Sequence, residues 1–197
     1  MKSIFKSIPN IITITRIFMS LIFTYLIIGQ PMQEKERFIY LMIVFFMICF
    51  SDLLDGKIAR KTGGVSRVGA KLDVLADLLY MILSYTSLII LGILPLWFLG
   101  FVCLKFLEFT ATSIYIRRHN KFSTNPFIFD KIGRLVAVVF FIIPGVVCVF
   151  NYFIPHITRG LIECLLYITL IAGIYSSYLR IKSCFMIMDS NVSRCID

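Results

Sequence analysis

Six stretches of this chain are long enough and apolar enough to cross a lipid bilayer, and that constrains its fold more than any other feature. A spanning helix needs about 20 mostly apolar residues. Such runs occupy residues 11–29, 38–60, 69–94, 96–116, 131–152 and 161–180. Within lipid, backbone polar groups must be satisfied inside the segment, which leaves the helix as the form these runs take. Composition agrees, with 59% hydrophobic and only 16% charged residues in 197, against roughly a quarter charged in a soluble domain. Pro31, Pro95 and Pro155 punctuate three of the turns. No internal repeat or low-complexity linker interrupts the pattern. The expected fold is an all-α integral membrane protein with six transmembrane helices, one domain over residues 1–197, with the lipid bilayer as its solvent.

The basic residues orient such a bundle. Sixteen of the 20 lysines and arginines fall at the N-terminus, between the second and third runs, between the fourth and fifth, or at the C-terminal end. All four segments share one side of a six-span arrangement. By the positive-inside rule both termini then lie in the cytoplasm, and the protein is expected in the cell membrane as a multi-pass chain. The same pattern accounts for the net charge of +9, so no nucleic-acid partner is expected. Lysines precede the first apolar run as in a signal peptide, but no small-x-small cleavage site follows, and the segment is expected to be retained. Residues 1–10, with Ile4, Phe5 and Ile8 between Lys2 and Lys6, read either as an interfacial helix or as a frayed basic end. The six cysteines form no C-x-x-C pair, and most lie in apolar runs. They read as small buried side chains. His119 and His156 lack metal-ligand spacing.

Four aspartates interrupt the apolar pattern. Asp52 and Asp55 lie near the end of the second run, Asp73 and Asp77 near the start of the third. Spacings of i,i+3 and i,i+4 put each pair on one helix face. The pairs are nearly symmetric about residue 64, where Thr62, Gly63 and Gly64 supply a turn. A helix hairpin folded there brings all four to similar depth, with Asp52 about 12 Å before Arg60 and Asp77 about 12 Å after Gly69 at the helical rise. Ionisable groups inside spans are functional candidates by default. Carboxylates so confined must be protonated, paired with cations or bound to metal. Lys57, Arg60 and Lys71 are the expected cationic partners, and a salt-bridged hairpin without ligand is the competing reading. An all-oxygen donor set favours magnesium, manganese or calcium. Gly56, Ala59, Gly69 and Ala70 among the acids serve close helix packing, room for a ligand, or both.

The two segments read Asp52-Leu53-Leu54-Asp55-Gly56-Lys57-Ile58-Ala59-Arg60 and Gly69-Ala70-Lys71-Leu72-Asp73-Val74-Leu75-Ala76-Asp77, with eight residues between. This resembles the complete signature of the CDP-alcohol phosphotransferase family, D-x-x-D-G-x-x-A-R, then G-x-x-x-D-x-x-x-D. The resemblance implies a six-span membrane enzyme working as a homodimer with a pair of magnesium or manganese ions. It implies metal ligation by Asp52, Asp55 and Asp73, with Asp77 as catalytic base and further contact to the second metal. Asp52, Asp55, Gly56, Ala59, Arg60 and Gly69 are then the CDP site. The implied reaction moves a phosphatidyl group from CDP-diacylglycerol to a small alcohol and releases CMP, at a site facing the cytoplasm.

The acceptor is read from the opening, Pro9-Asn10-Ile11-Ile12-Thr13-Ile14-Thr15-Arg16. It resembles the P-N-x-x-T-x-x-R of members that make phosphatidylglycerophosphate, which points to glycerol 3-phosphate. Val74 and Leu78 depart from the D-P-x-A-D-K those members often carry. Arg117, Lys131 and Arg134 are the expected acceptor-binding residues, because a phosphorylated acceptor needs a second basic pocket. Arg118 and Arg180 belong to the same inventory. Lys105 and Glu108, at i,i+3, are expected to pair with each other. Serine, an inositol phosphate or phosphatidylglycerol as acceptor are the alternatives within this chemistry. A divalent-cation transporter is the alternative outside it.

Overall fold

Each apolar run becomes a helix, as lipid solvation of the backbone demands. The structure, a computed structural model, describes the backbone of residues 2–29, 34–62, 67–119, 127–155 and 158–193. It describes the side chains of residues 11–29, 34–54, 69, 72–112, 133, 135–155 and 159–182. Helices occur in the order α1 (Lys2–Ile28), α2 (Lys35–Thr62), α3 (Arg67–Ile90), α4 (Leu96–His119), α5 (Phe127–Phe153) and α6 (Thr158–Ser193), with no strand among the described residues. Among the described residues five of the six expected spans, all but α4, carry windows long and apolar enough to cross a membrane: Ile11–Ile28, Lys35–Leu54, Leu72–Ile90, Leu135–Phe153 and Arg159–Lys182. With so many such helices, the chain is a multi-pass membrane protein. The helices exceed the apolar runs at several ends. α1 continues unbroken from Lys2, and α6 extends to Ser193.

Two compact units divide the chain, one of residues 1–95 and 144–158, the other of residues 96–143 and 159–197. The division falls at Pro144 inside α5, where the ring removes one backbone donor from the helix ladder.

In the first unit α1 packs on both α2 and α3. Its buried residues are Thr13, Arg16, Ser20, Phe23 and Ile27, alternating three and four apart as on a single inward stripe. The facing residues include Leu41, Phe45 and Ile48 on α2, and Ala76, Tyr80, Ser84 and Leu88 on α3. Small side chains on α3 let helix backbones approach. Their hydroxyls are satisfied within the helix, Ser84 Oγ donating to the Tyr80 carbonyl and Ser87 Oγ to that of Leu83. Phe23 lies 6.0 Å from Phe45 and 5.8 Å from Tyr80, ring centre to ring centre. Phe38 stacks on Tyr152 at 3.9 Å. Arg37 Nε donates to the Leu26 carbonyl at 3.2 Å, which ties the start of α2 to an orphan acceptor in the last turn of α1.

α3 ends in a Schellman turn. Gly92 takes φ 68°, its N–H donates to the Ile89 carbonyl at 2.9 Å, and the Ile93 N–H donates to that of Leu88 at 3.0 Å. Glycine takes this left-handed backbone without the penalty a Cβ brings. Pro95 ends the connection, directly before Leu96 opens α4.

The second unit holds α4, the first part of α5 and α6. Its aromatic core joins Phe140 to Phe98 at 6.1 Å and to Phe101 at 5.8 Å, with Trp97 stacked beside Tyr167 at 6.2 Å. Gly173 makes room for Phe101, whose Cζ would lie 2.7 Å from an added Cβ.

Gly145 plays the corresponding part in the first unit, because an added Cβ there would meet the ring of buried Phe45. Gly145→Ala is expected to destabilise the protein by about 1–3 kcal/mol through overpacking. Phe45→Leu should relieve that cost in the double variant. Thermal unfolding in detergent of both single variants and the double variant checks this.

Candidate active site

Three of the four aspartates, Asp52, Asp73 and Asp77, come together, and a cation among them comes from a third helix. Asp52 stands on α2, and Asp73 and Asp77 stand one turn apart on α3. Each offers a carboxylate oxygen, and the three oxygens lie within 4.8 Å of one another. Arg16 of α1 reaches them from inside the bundle. Its Nη1 donates to Asp73 Oδ1 and to Asp77 Oδ1, both at 2.8 Å, and lies 3.3 Å from Asp52 Oδ1. Its Nε donates to Ser51 Oγ at 3.4 Å, while that hydroxyl donates to the Ile48 carbonyl at 2.8 Å.

Burial divides the cluster. The Arg16 side chain is 0% exposed, whereas Asp52, Asp73 and Asp77 are 40%, 42% and 27% exposed. The guanidinium therefore backs the site and the carboxylates line its open face. The Phe23, Phe45 and Tyr80 rings form an apolar floor, placed seven residues after Arg16, seven before Asp52 and three after Asp77. Thr13, one turn before Arg16 on the same stripe, is buried as well.

Charge determines what this arrangement can hold. Among the described residues three carboxylates face one guanidinium, so the cluster is acid-rich. The donors are oxygens, partly open to solvent and clustered at metal-ligand separations. Such a set fits a hard divalent cation of the magnesium or manganese type.

In the sequence Arg16 reads as part of the basic N-terminal stretch and of the Pro9-to-Arg16 opening, not as a partner of the acids. Its signal was available: Arg16 lies inside an apolar window, three residues from Thr13 and four from Ser20, and intramembrane charges mark sites. The side chains of Asp55, Gly56, Ala59 and Arg60, and those of Lys57 and Lys71, lie outside the described residues. So do those of Arg117, Arg118, Lys131 and Arg134. Gly69 falls in the first turns of α3 and is partly buried.

The second unit carries its own polar cluster. Lys105 Nζ donates to Glu108 Oε2 at 2.9 Å, the pairing expected from their spacing, and to Ser177 Oγ of α6 at 2.7 Å. Ser177 Oγ donates to the same Glu108 oxygen at 2.5 Å. Glu108 Oε1 is buried without a hydrogen-bond partner among the described residues. Arg180, 3% exposed, donates from Nη1 to Thr112 Oγ1 at 2.8 Å and to the Phe109 carbonyl at 3.3 Å. Its guanidinium also lies over the Phe109 ring at 4.1 Å. Gly133 leaves space for it, since an added Cβ would stand 2.5 Å from Nε.

Comparison with known proteins places these observations. The family model described as CDP-alcohol phosphatidyltransferase matches residues 6–175. A cardiolipin synthase (CMP-forming) of Streptomyces coelicolor is 34% identical over 91 residues, 46% of this chain and 42% of that one. A CDP-diacylglycerol–glycerol-3-phosphate 3-phosphatidyltransferase of Aquifex aeolicus is 24% identical over 160 residues, 80% of this chain and 85% of that one. A human cardiolipin synthase (CMP-forming) is 32% identical over 112 residues, 56% of this chain and 35% of that one. The match therefore spans less than half the length of either cardiolipin synthase.

The Lys105–Glu108–Ser177 cluster makes a prediction of its own. Lys105→Met strands a largely buried carboxylate and is expected to cost about 3 kcal/mol. Lys105→Met with Glu108→Leu should recover most of that stability, because an apolar pair replaces an ion pair of similar volume. Thermal unfolding in detergent reads both variants.

Proposed function

The chain belongs to the CDP-alcohol phosphatidyltransferase family, and from that premise we propose that it transfers the phosphatidyl group of CDP-diacylglycerol to glycerol 3-phosphate. The products are phosphatidylglycerophosphate and CMP. The observation that carries this reading is the convergence of Asp52, Asp73 and Asp77 on one open face, at positions matching the family motif. Asp52, Asp55, Asp73 and Asp77 would hold a pair of magnesium or manganese ions. When bound, these supply Lewis-acid neutralisation of the diphosphate and of the leaving CMP.

The residues of the chain do the rest. Asp77 takes the proton of the acceptor hydroxyl. The resulting alkoxide attacks the phosphorus that carries diacylglycerol. A new phosphorus–oxygen bond forms, the bond to the bridging oxygen breaks, and CMP departs with that oxygen. Gly56, Ala59 and Gly69 leave room for the nucleotide, and the forked donors of Arg60 hold its phosphates. Arg117, Lys131 and Arg134 hold the acceptor phosphate. Positioning of two bound substrates supplies much of the rate.

This reading takes residues 1–197 as one six-span domain, supported by a family match that extends across both compact units. Both termini and the site face the cytoplasm, supported by the distribution of basic residues. The protein works as a homodimer in the cell membrane, with lipid tails remaining in the bilayer while the soluble acceptor enters from the cytoplasm.

Glycerol 3-phosphate is favoured by the Pro9-to-Arg16 opening and by a relative matched over 80% of this chain. Phosphatidylglycerol is the second reading, favoured by the higher identity to two cardiolipin synthases and by Val74 and Leu78.

The test is CMP release from CDP-diacylglycerol by purified protein with magnesium or manganese, with each acceptor in parallel. Release should require glycerol 3-phosphate and fall by at least about 100-fold in Asp77→Asn, the usual scale for losing a general base. Release with phosphatidylglycerol alone overturns the acceptor. Metal flux into liposomes without CMP release for any alcohol overturns the enzyme reading in favour of a cation transporter.

A further inference from the structure

Among the described residues, Arg16 is the cation that the three aspartates share. A single nitrogen, Nη1, contacts the Oδ1 atoms of Asp52, Asp73 and Asp77. It has two hydrogens, and both short contacts use them. The third carboxylate is held by charge alone, at the longer distance. A divalent cation ligated by the same oxygens would approach the guanidinium closely, and two cations so placed repel each other. The guanidinium and the ion therefore compete for these carboxylates.

We propose that Arg16 is a displaceable counter-cation: it neutralises the metal-free aspartates, yields their oxygens to a divalent ion, and thereby lowers the apparent affinity of the site. This rests on reading the aspartates as the metal ligands. Two features support it. Without a positive charge, three clustered carboxylates in an apolar bundle would splay apart or protonate. Arg16 keeps them gathered. The guanidinium also has a second anchor, because Nε faces Ser51 Oγ. When Nη1 lets go, the side chain retains a partner inside the bundle and remains ordered behind the site. Arg16 is thus a positioning residue that acts through the aspartates.

A scaffold role and a competing role predict opposite signs. If Arg16 only gathers the acids, removing it scatters them and weakens metal binding. If it competes, removing it tightens binding. Mn2+ is titrated into purified protein in detergent, with no CDP lipid present, and free Mn2+ is read by its electron paramagnetic resonance signal. Arg16→Gln is expected to bind Mn2+ about tenfold more tightly than wild type, a usual size for coupling between two ligands of one site. Arg16→Lys, which keeps the charge, should remain within about threefold of wild type. Weaker or unchanged binding by a folded Arg16→Gln overturns the proposal, as does absence of Mn2+ binding by the wild type.

A second measurement needs no folded Gln variant. In wild-type protein carrying 15N-arginine, the Arg16 guanidinium gives Nη resonances slowed in rotation by its carboxylate bonds. Saturating Mg2+ should abolish that signature, and its persistence overturns the proposal. Loss of CMP release with every alcohol, alongside tightened Mn2+ binding in Arg16→Gln, would sink the proposed reaction and leave this inference standing.

Discussion

Three carboxylates gathered within 4.8 Å in an apolar bundle crowd one another, and among the described residues the first unit is organised around the buried guanidinium that answers them. Arg16 draws together helices from three separate segments, since its contacts reach residues 35 to 61 positions away. Burying that guanidinium without its acids would be costly, and so would holding the acids without it. Each makes the placement of the other tolerable. With three acids to one guanidinium among the described residues, the cluster suits a hard cation.

Around that centre, polar and apolar layers are separated along the helix axes. The Phe23, Phe45 and Tyr80 rings close the inner end of the acid cluster and limit water to the side where the carboxylates are exposed. Hydroxyl groups deeper in the bundle turn back onto their own helices and demand no partner from neighbours. The second unit follows the same economy with different residues. Lys105, Glu108 and Ser177 join one another across α4 and α6, and Arg180 Nη1 donates to Thr112 and the Phe109 carbonyl.

The helical fold and the acid cluster were legible in the amino-acid sequence because both follow from short-range rules. Apolar runs near 20 residues announce spans, and acids spaced i,i+3 and i,i+4 about a central turn announce a shared face. The Lys105–Glu108 pair was legible for the same reason. Arg16 was not, although its residue type and position are plain. Its partners lie on other helices, and a basic residue near a terminus looks the same whether it faces headgroups or carboxylates. Only packing distinguishes the two. Ser177 joining Lys105, 72 positions away, was hidden in the same manner. Helix ends were missed where helices outrun their apolar runs, because hydropathy marks what meets lipid and backbone hydrogen bonding continues past it.

The inward stripe of α1 carries one further consequence. Thr13, Arg16 and Ser20 occupy one end of it, Phe23 and Ile27 the other. Sliding α1 by one helical turn, about 5.4 Å, would push the guanidinium toward the aromatic rings and a phenyl ring toward the carboxylates. Either mismatch is severe, so the helix has a single vertical setting against its neighbours. A purely apolar stripe would tolerate several. The ionic contact thus acts as a key for assembly, much as a lone polar residue in a coiled coil selects one alignment among many. A first helix inserted into the bilayer before its partners would find its depth only when α3 arrives with both aspartates.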